Sequence, residues 1–343
     1  MTGGAGFIGS NTLLYLFNKY PGYRYIVLDA LTYAGDMRNI PPHIQGAKNF
    51  TFVHGDVRNS KAVNDCVSKA DAVIHFAAET HVARSISDNT NFFETDVIGT
   101  QQVANAVWHN RDKIDRFIHI STSEVYGTAQ RELIDEKHPL DPLSPYAAAK
   151  AGADRLVYAY RACYQIPAVI LRPFNIYGSR QHPEKVIPRF ITSRILGEPL
   201  TIHGTGQSQR DFTYVDDLAR AIDLVLHAPA NLVVGEVFNV GSGKSYAVQG
   251  IAESILELTG AGDSKNPSAS LMVKTGDRPG QVTRHTADSK KIRDILGWQP
   301  IVDFADGIKK TIDWYKENPD WWKNKLHMRQ VPIEVEGGLI EMQ

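Results

Sequence analysis

The chain has 343 residues, 43% of them hydrophobic and 22% charged, with a formal net charge of -1. That length implies two domains or one large α/β domain. The near-zero balance argues against the basic footprint of a nucleic-acid or membrane-surface binder, and no apolar run approaches the ~20 residues that span a bilayer.

The chain opens on TGGAGFIGS (2–10), which sets Gly3, Gly6 and Gly9 three residues apart. Glycine lets a backbone turn tightly and approach a pyrophosphate, and the helix that follows aims its amides at the anion. Only Met1 and Thr2 precede this loop, too few for an ordinary central strand, so an upstream beginning of the natural chain is expected. The first ten residues do not read as a secretory leader, because glycines and Ser10 interrupt them. Next come short apolar runs at 25–29, 50–56, 72–78, 116–122 and 168–174, near-continuous as buried parallel strands are. Helical spacing fills 10–19, 59–69, 92–109 and 145–163. That rhythm predicts a Rossmann-like, doubly wound parallel sheet. Asp29 ends the second strand, where a carboxylate binds a ribose 2′-hydroxyl and repels a 2′-phosphate, so NAD is expected over NADP. Asp56 and Val57 close the third strand, beside an adenine. Past residue 180 the rhythm weakens around Pro183, Pro188 and Pro199. Helices at 186–196, 215–226, 246–259 and 304–316 and a strand at 199–203 predict a smaller mixed α/β domain. The expected division is a cofactor domain over 1–180, with returning segments near 210–245, and a substrate domain over 181–343.

The chemistry concentrates in STSEVYG (121–127) and SPYAAAK (144–150). Ser144 reads as a helix N-cap and Pro145 as a first helical residue, which puts Tyr146 and Lys150 on one helix face. An ammonium beside a phenol favours the phenolate and is expected to lower Tyr146 from ~10 toward working pH. Thr122, Ser123 and Glu124 follow a strand, at the end where ligands lie in open α/β sheets. Thr122 is placed to hydrogen-bond the oxygen that Tyr146 deprotonates, and Glu124 to act as a carbon-acid base, which takes the chemistry beyond simple alcohol oxidation. His75 reads as a buried, satisfied histidine and His81 as a pocket residue. Arg210 and Arg278 are candidates to pair with a diphosphate. Cys66 and Cys163 lie far apart, and none of the twelve histidines belongs to an HExxH or similar array, so no metal site is expected and a reducing cytoplasmic setting is.

Taken together, TGGAGFIGS, LTYAGD (31–36), HFAAETHVARSI (75–86), TSEVYG (122–127), SPYAAAK, PEKVIPRFI (183–191), QRDFTYVDD (209–217) and DRPG (277–280) resemble the extended short-chain dehydrogenase/reductases. Within them the chain is similar to the nucleotide-sugar 4,6-dehydratases, in particular the dTDP-glucose branch. The resemblance implies that Tyr146, tuned by Lys150 and assisted by Thr122, takes the proton of the sugar C4 hydroxyl as NAD accepts a hydride. It also implies that Glu124 removes the C5 proton, and that water leaves C6 before the hydride returns there. Further cofactor contacts are implied at Phe7, Ile8, Leu31, Thr32, Gly35, Phe76, Ala77, Ala78, Thr80 and Thr95, and substrate contacts at His81, Asn175, Lys185, Arg210 and Arg278. The family is typically homodimeric through two helices per subunit, here 92–109 and 145–163.

Two departures stand out. Ser123 occupies a place where the dTDP-glucose enzymes usually carry an aspartate that acts as the acid at C6, so either Glu124 handles both protons or another group supplies the acid. Asp96 stands where the family pattern NxxGT has asparagine. A UDP-glucuronate decarboxylase, which shares the Thr-Ser-Glu run, and a nucleotide-sugar 4-epimerase remain as alternatives. So does a catalytically idle binding protein, against which Thr122, Tyr146 and Lys150 argue.

Overall fold

The computed structural model describes residues 1–260, 271–276, 280–335 and 339–342. Strands form at Tyr25–Asp29, Phe50–His54, Ala72–His75, Arg116–Ile120 and Ala168–Pro173. They are joined by Val237–Val240, which returns from the second half of the chain to pair with Ala168–Pro173. Every pairing among them is parallel. Met1 and Thr2 take the central place: Thr2 bridges Leu28 on one side and His75 on the other. The Leu28 amide donates to the Met1 carbonyl at 2.9 Å and the Phe76 amide to the Thr2 carbonyl at 3.1 Å. The glycine loop therefore leaves the middle of the sheet, where a doubly wound sheet changes direction.

Successive strand side chains point to opposite faces, and the core divides accordingly. Val73, Phe117 and Ile170 join Val63, Val103, Val107 and Val157 from helices Ser60–Val67, Thr100–His109 and Pro145–Tyr164. Ile74, Ile118, Val169 and Leu171 belong to the other cluster, with Leu13 and Leu16 of helix Phe7–Lys19 and Leu218 and Ile222 of helix Val215–His227. At roughly 1.5–3 kcal/mol per fully buried large side chain, these two layers are the main term holding the sheet between its helices.

Some predicted boundaries move. The strands expected to reach residues 56, 78 and 122 stop at His54, His75 and Ile120, so their last residues become loops that enter a cleft. The first helix starts earlier than expected, at Phe7, directly on the glycine loop. The helix predicted over 92–109 is interrupted: a π-helical turn, Phe93–Gly99, precedes the regular Thr100–His109. Asp96 sits buried in that wide turn, with its carbonyl accepting from the Thr100 hydroxyl, a kind of irregularity often found at functional sites.

Beyond residue 174 the sheets are small. Gln209–Tyr214 pairs in parallel with Asn175–Tyr177 and Arg284–His285 and antiparallel with Ser245–Ala247. Leu200–His203 pairs with Met272–Thr275. The helix expected from 246 starts at Val248, because residues 245–247 are spent on the strand. The cluster of Leu13 and Ile118 continues through Tyr177, Phe190, Leu200, Trp298 and Trp322, so one hydrophobic body runs beneath both halves.

Candidate active site

A cleft of ≈ 890 Å³ crosses the carboxyl ends of the parallel strands and is closed on its far side by residues from the small sheets. At one end lies the glycine loop. Gly3 has φ +65, and a Cβ there would stand 2.6 Å from the Ala77 amide nitrogen; one on Gly9 would run into the Gly3 carbonyl. Helix Phe7–Lys19 has Gly6 as N-cap and no side-chain cap, which leaves its first amides available to an anion. Asp29 lines the cleft and grips the loop around it: its two carboxylate oxygens accept from the Ala5 and Leu31 amides, each at 2.8 Å. Burial pushes its carboxyl up from the ordinary value, and those amides oppose the rise. Gly6, Phe7, Ile8, Thr32, Gly35, Asp56, Val57, Phe76, Ala77, Ala78, Thr80 and Thr95 also line this end. Leu31 does not. It is one of the few non-glycine residues with positive φ, 51°, and it turns the chain rather than facing the cleft. The cradle is one that a Cβ would fill, with a carboxylate for a ribose and a helix end for a pyrophosphate, and these residues fit a dinucleotide.

Thr122, Glu124, Tyr146 and Lys150 come together in the middle of the cleft. Thr122 caps the short turn Ser123–Tyr126 by accepting from the Glu124 amide at 3.2 Å, and its hydroxyl is hydrogen-bonded with Tyr146. Ser144 caps the helix that carries Tyr146 and Lys150, as its sequence predicts. The electrostatics differ from expectation. Burial pushes the Tyr146 phenol above its ordinary value, Thr122 opposes this, and Asp96 and Glu124 add to it. Lys150, itself held below its ordinary value by burial, donates to the Ile120 carbonyl at 2.8 Å instead of acting on the phenol. Asp96 is pushed up by burial while Lys150 pulls it down. Its Oδ1 accepts from the Glu79 amide at 2.8 Å, and its Oδ2 has no partner among the described residues.

Ser123 departs from its predicted role. It is buried and outside the cleft wall, with Oγ 3.4 Å from Nδ1 of His285; of the four residues in the turn 123–126 only Glu124 is not buried. His75 is buried and satisfied, between the Thr2 hydroxyl at 2.6 Å and the Thr100 hydroxyl at 3.0 Å, and burial holds it down to about 3.

On the far wall, His81, Asn175, Lys185 and Arg210 all line the cleft. The Asn175 side-chain nitrogen, Nδ2, is buried with no partner among the described residues, an orphan that suits a polar ligand atom. Lys185 donates to the Thr80 carbonyl at 2.7 Å, and Arg210 to the Gln209 carbonyl at 3.0 Å. Arg278 lies outside the described residues. Sequence reasoning missed Glu184, which is buried where Tyr33 donates at 3.0 Å and Arg84 at 3.3 Å, with His81 3.8 Å away. It also missed Arg180, held in the cleft wall with φ 67. Glu184 stands inside the quoted PEKVIPRFI, so the segment was visible and its glutamate was passed over. Among the described residues, no group of three His, Cys, Asp or Glu is placed to hold a metal ion, and no helix is long and apolar enough to cross a membrane.

Residues 1–311 match the family model described as GDP-mannose 4,6 dehydratase. The chain is 41% identical over 327 residues to a dTDP-glucose 4,6-dehydratase of Streptomyces niveus, covering 94% of each. It is 41% identical to the low-salt glycan biosynthesis protein Agl12 of Haloferax volcanii, over 92% of this chain and 97% of that one. Among solved structures it superposes on DesIV, the dTDP-glucose 4,6-dehydratase of Streptomyces venezuelae with NAD and TYD bound. There the TM-score is 0.88 and the identity 40%, over 94% of this chain and 98% of that chain.

Proposed function

The chain belongs to the GDP-mannose 4,6 dehydratase family, and we propose that it converts dTDP-glucose to dTDP-4-keto-6-deoxyglucose. It is an NAD-dependent nucleotide-sugar 4,6-dehydratase, a hydro-lyase. The observation that carries this reading is a carboxylate, Glu124, lining the same part of the cleft as Tyr146 and Thr122, next to a dinucleotide cradle. An alcohol oxidation alone has no use for a base at that place.

The proposed roles follow from that arrangement. Gly3, Gly6 and Gly9 admit the pyrophosphate and Asp29 takes a ribose. NAD held by these residues would supply a reversible hydride acceptor for the sugar. Thr122 orients the C4 hydroxyl and Tyr146 takes its proton, with Lys150 as the buried lysine one helical turn further along. The new carbonyl acidifies the neighbouring C5–H, which Glu124 removes. Asn175, Lys185, Arg210 and His81 hold the sugar nucleotide. Incorporation of the cofactor domain over 1–180, with returning segments near 210–245, and of a sugar-nucleotide domain over 181–343 belongs to the same proposal. So does a homodimer in the cytoplasm: Phe93, Ile98, Tyr158 and Tyr164 are exposed on the helical segments that would meet, and sedimentation of the pure protein tests it.

Incubation with a panel of sugar nucleotides, followed by product mass, tests the reaction. Loss of one water from dTDP-glucose is the expected result. Loss of carbon dioxide from UDP-glucuronate, or an unchanged mass with inverted C4, would replace it with a decarboxylase or an epimerase.

A further inference from the structure

A 4,6-elimination moves protons three times at one place: off C5, onto the departing C6 oxygen, and back onto C5. Within the Thr-Ser-Glu turn of this chain, Glu124 is the one titratable side chain in the cleft, since Ser123 faces away from it. A single carboxyl that gives the C5 proton to the leaving oxygen ends as a carboxylate, and has nothing left to return to C5.

Behind Glu124 stands His285, fully buried on the two-residue strand Arg284–His285. Its Nε2 is hydrogen-bonded to the Gly127 carbonyl, which can only accept, so Nε2 carries a hydrogen. Its Nδ1 faces Ser123 Oγ at 3.4 Å and Glu124 Oε1 at 3.9 Å. All three oxygens can accept, so a proton that arrives on Nδ1 is held between Ser123 and Glu124. The other charged or titratable groups acting on it are Arg210, opposite it on the neighbouring strand, and His138. Burial pushes the imidazole below its ordinary value, Glu124 pulls it up, and Arg210 and His138 push it down.

We infer that His285 is a proton reserve for Glu124, a positioning residue that acts through that carboxyl; the inference rests on the 4,6-dehydratase reading. Glu124 takes the C5 proton as the electron pair forms the C5–C6 double bond and the C6–O bond breaks. The same carboxyl passes that proton to the leaving oxygen, giving water. As C6 receives its hydrogen from the cofactor, the electron pair at C5 takes a proton from Glu124, which His285 Nδ1 has reloaded. His285 then regains a proton from solvent, balancing the one that Tyr146 took from the C4 hydroxyl and released.

His285→Gln keeps a donor for Gly127 but no mobile proton. With the cofactor and dTDP-glucose it is expected to oxidise C4 normally and to turn over about 100-fold more slowly, with KM unchanged and reduced nicotinamide accumulating by its near-ultraviolet absorbance. Turnover at wild-type rate, or slow turnover without reduced nicotinamide, overturns the inference. In the protein without substrate, the His285 imidazole followed by NMR should titrate at lower pH in Glu124→Gln, and an unmoved titration also overturns it. If the wild-type enzyme removes water from no nucleotide hexose, the dehydratase reading fails instead, and the NMR titration still reports whether the two side chains are coupled.

Discussion

The two walls of the cleft are built by opposite strategies. The cofactor wall comes from short segments at 3–9, 29–35, 56–57 and 76–80, each next to a strand of one parallel sheet, and much of what it offers is main chain and absent side chains. The substrate wall gathers side chains from 81–84, 175–185, 210 and 281, and most of its charged groups are already engaged: Glu184 with Tyr33 and Arg84, Lys185 with a carbonyl. A site made of backbone appears in sequence as local spacing. A site made of side chains from distant segments appears only when the fold has brought them together.

That contrast can be broken experimentally. The largest effect is expected where the walls meet: Tyr146→Phe removes the group that accepts the C4 proton and should lower the dehydration rate by about 10³-fold, read as initial consumption of dTDP-glucose. On the cofactor wall, Gly9→Ala forces a Cβ against the Gly3 carbonyl. Overpacking of this kind costs about 1–3 kcal/mol, or roughly 5–150-fold in NAD affinity, measured by calorimetric titration. On the substrate wall, Glu184→Gln should leave NAD affinity unchanged and raise KM for the sugar nucleotide by about tenfold, because Tyr33 and Arg84 lose the charge that holds them. Equal effects of both substitutions on NAD and sugar nucleotide would erase the distinction between the walls.

The smallest effect concerns an ion pair just outside the cofactor wall. Asp36, at the end of the cofactor-wall loop, pairs with Lys325 at 2.5 Å and with Arg38 at 2.6 Å. Burial pushes its carboxyl up, but Arg38 and Lys325 more than offset this and hold it at about 2. A carboxyl lower in the folded than in the unfolded state adds stability above its unfolded value of ~3.9, and that stability is lost as pH falls toward 2. Asp36→Asn should therefore cost about 1 kcal/mol at neutral pH and nothing near pH 2, compared by urea midpoints.

The parallel sheet was legible because its inner strands, Arg116–Ile120 and Ala168–Pro173, are buried on both faces and so read as continuous apolar runs, and the glycine loop because only one residue type permits its close approaches. The pair Tyr146 and Lys150 was legible because a cap and a proline announced their helix. The interrupted helix at 93–99 was not: Asp96 has unremarkable neighbours, and a π turn leaves the apolar spacing almost unchanged over so short a run. The direction of the Tyr146 shift was misread for a physical reason. Spacing put Lys150 on the same helix face, but burial acts on the phenol directly, while the ammonium is taken up by the Ile120 carbonyl. His285 left no signal at all, since a two-residue strand has no pattern and its partners Ser123 and Glu124 lie in a distant part of the sequence.

The account depends on Glu124 being the group that strips the proton beside the new carbonyl. Single-turnover mixing of NAD-loaded Glu124→Gln with dTDP-glucose, followed by absorbance and by product mass, measures this directly. Reduced nicotinamide that forms and persists, on a sugar nucleotide that has kept its C6 oxygen, is the predicted result. A product lighter by one water, formed at the wild-type rate, would contradict it.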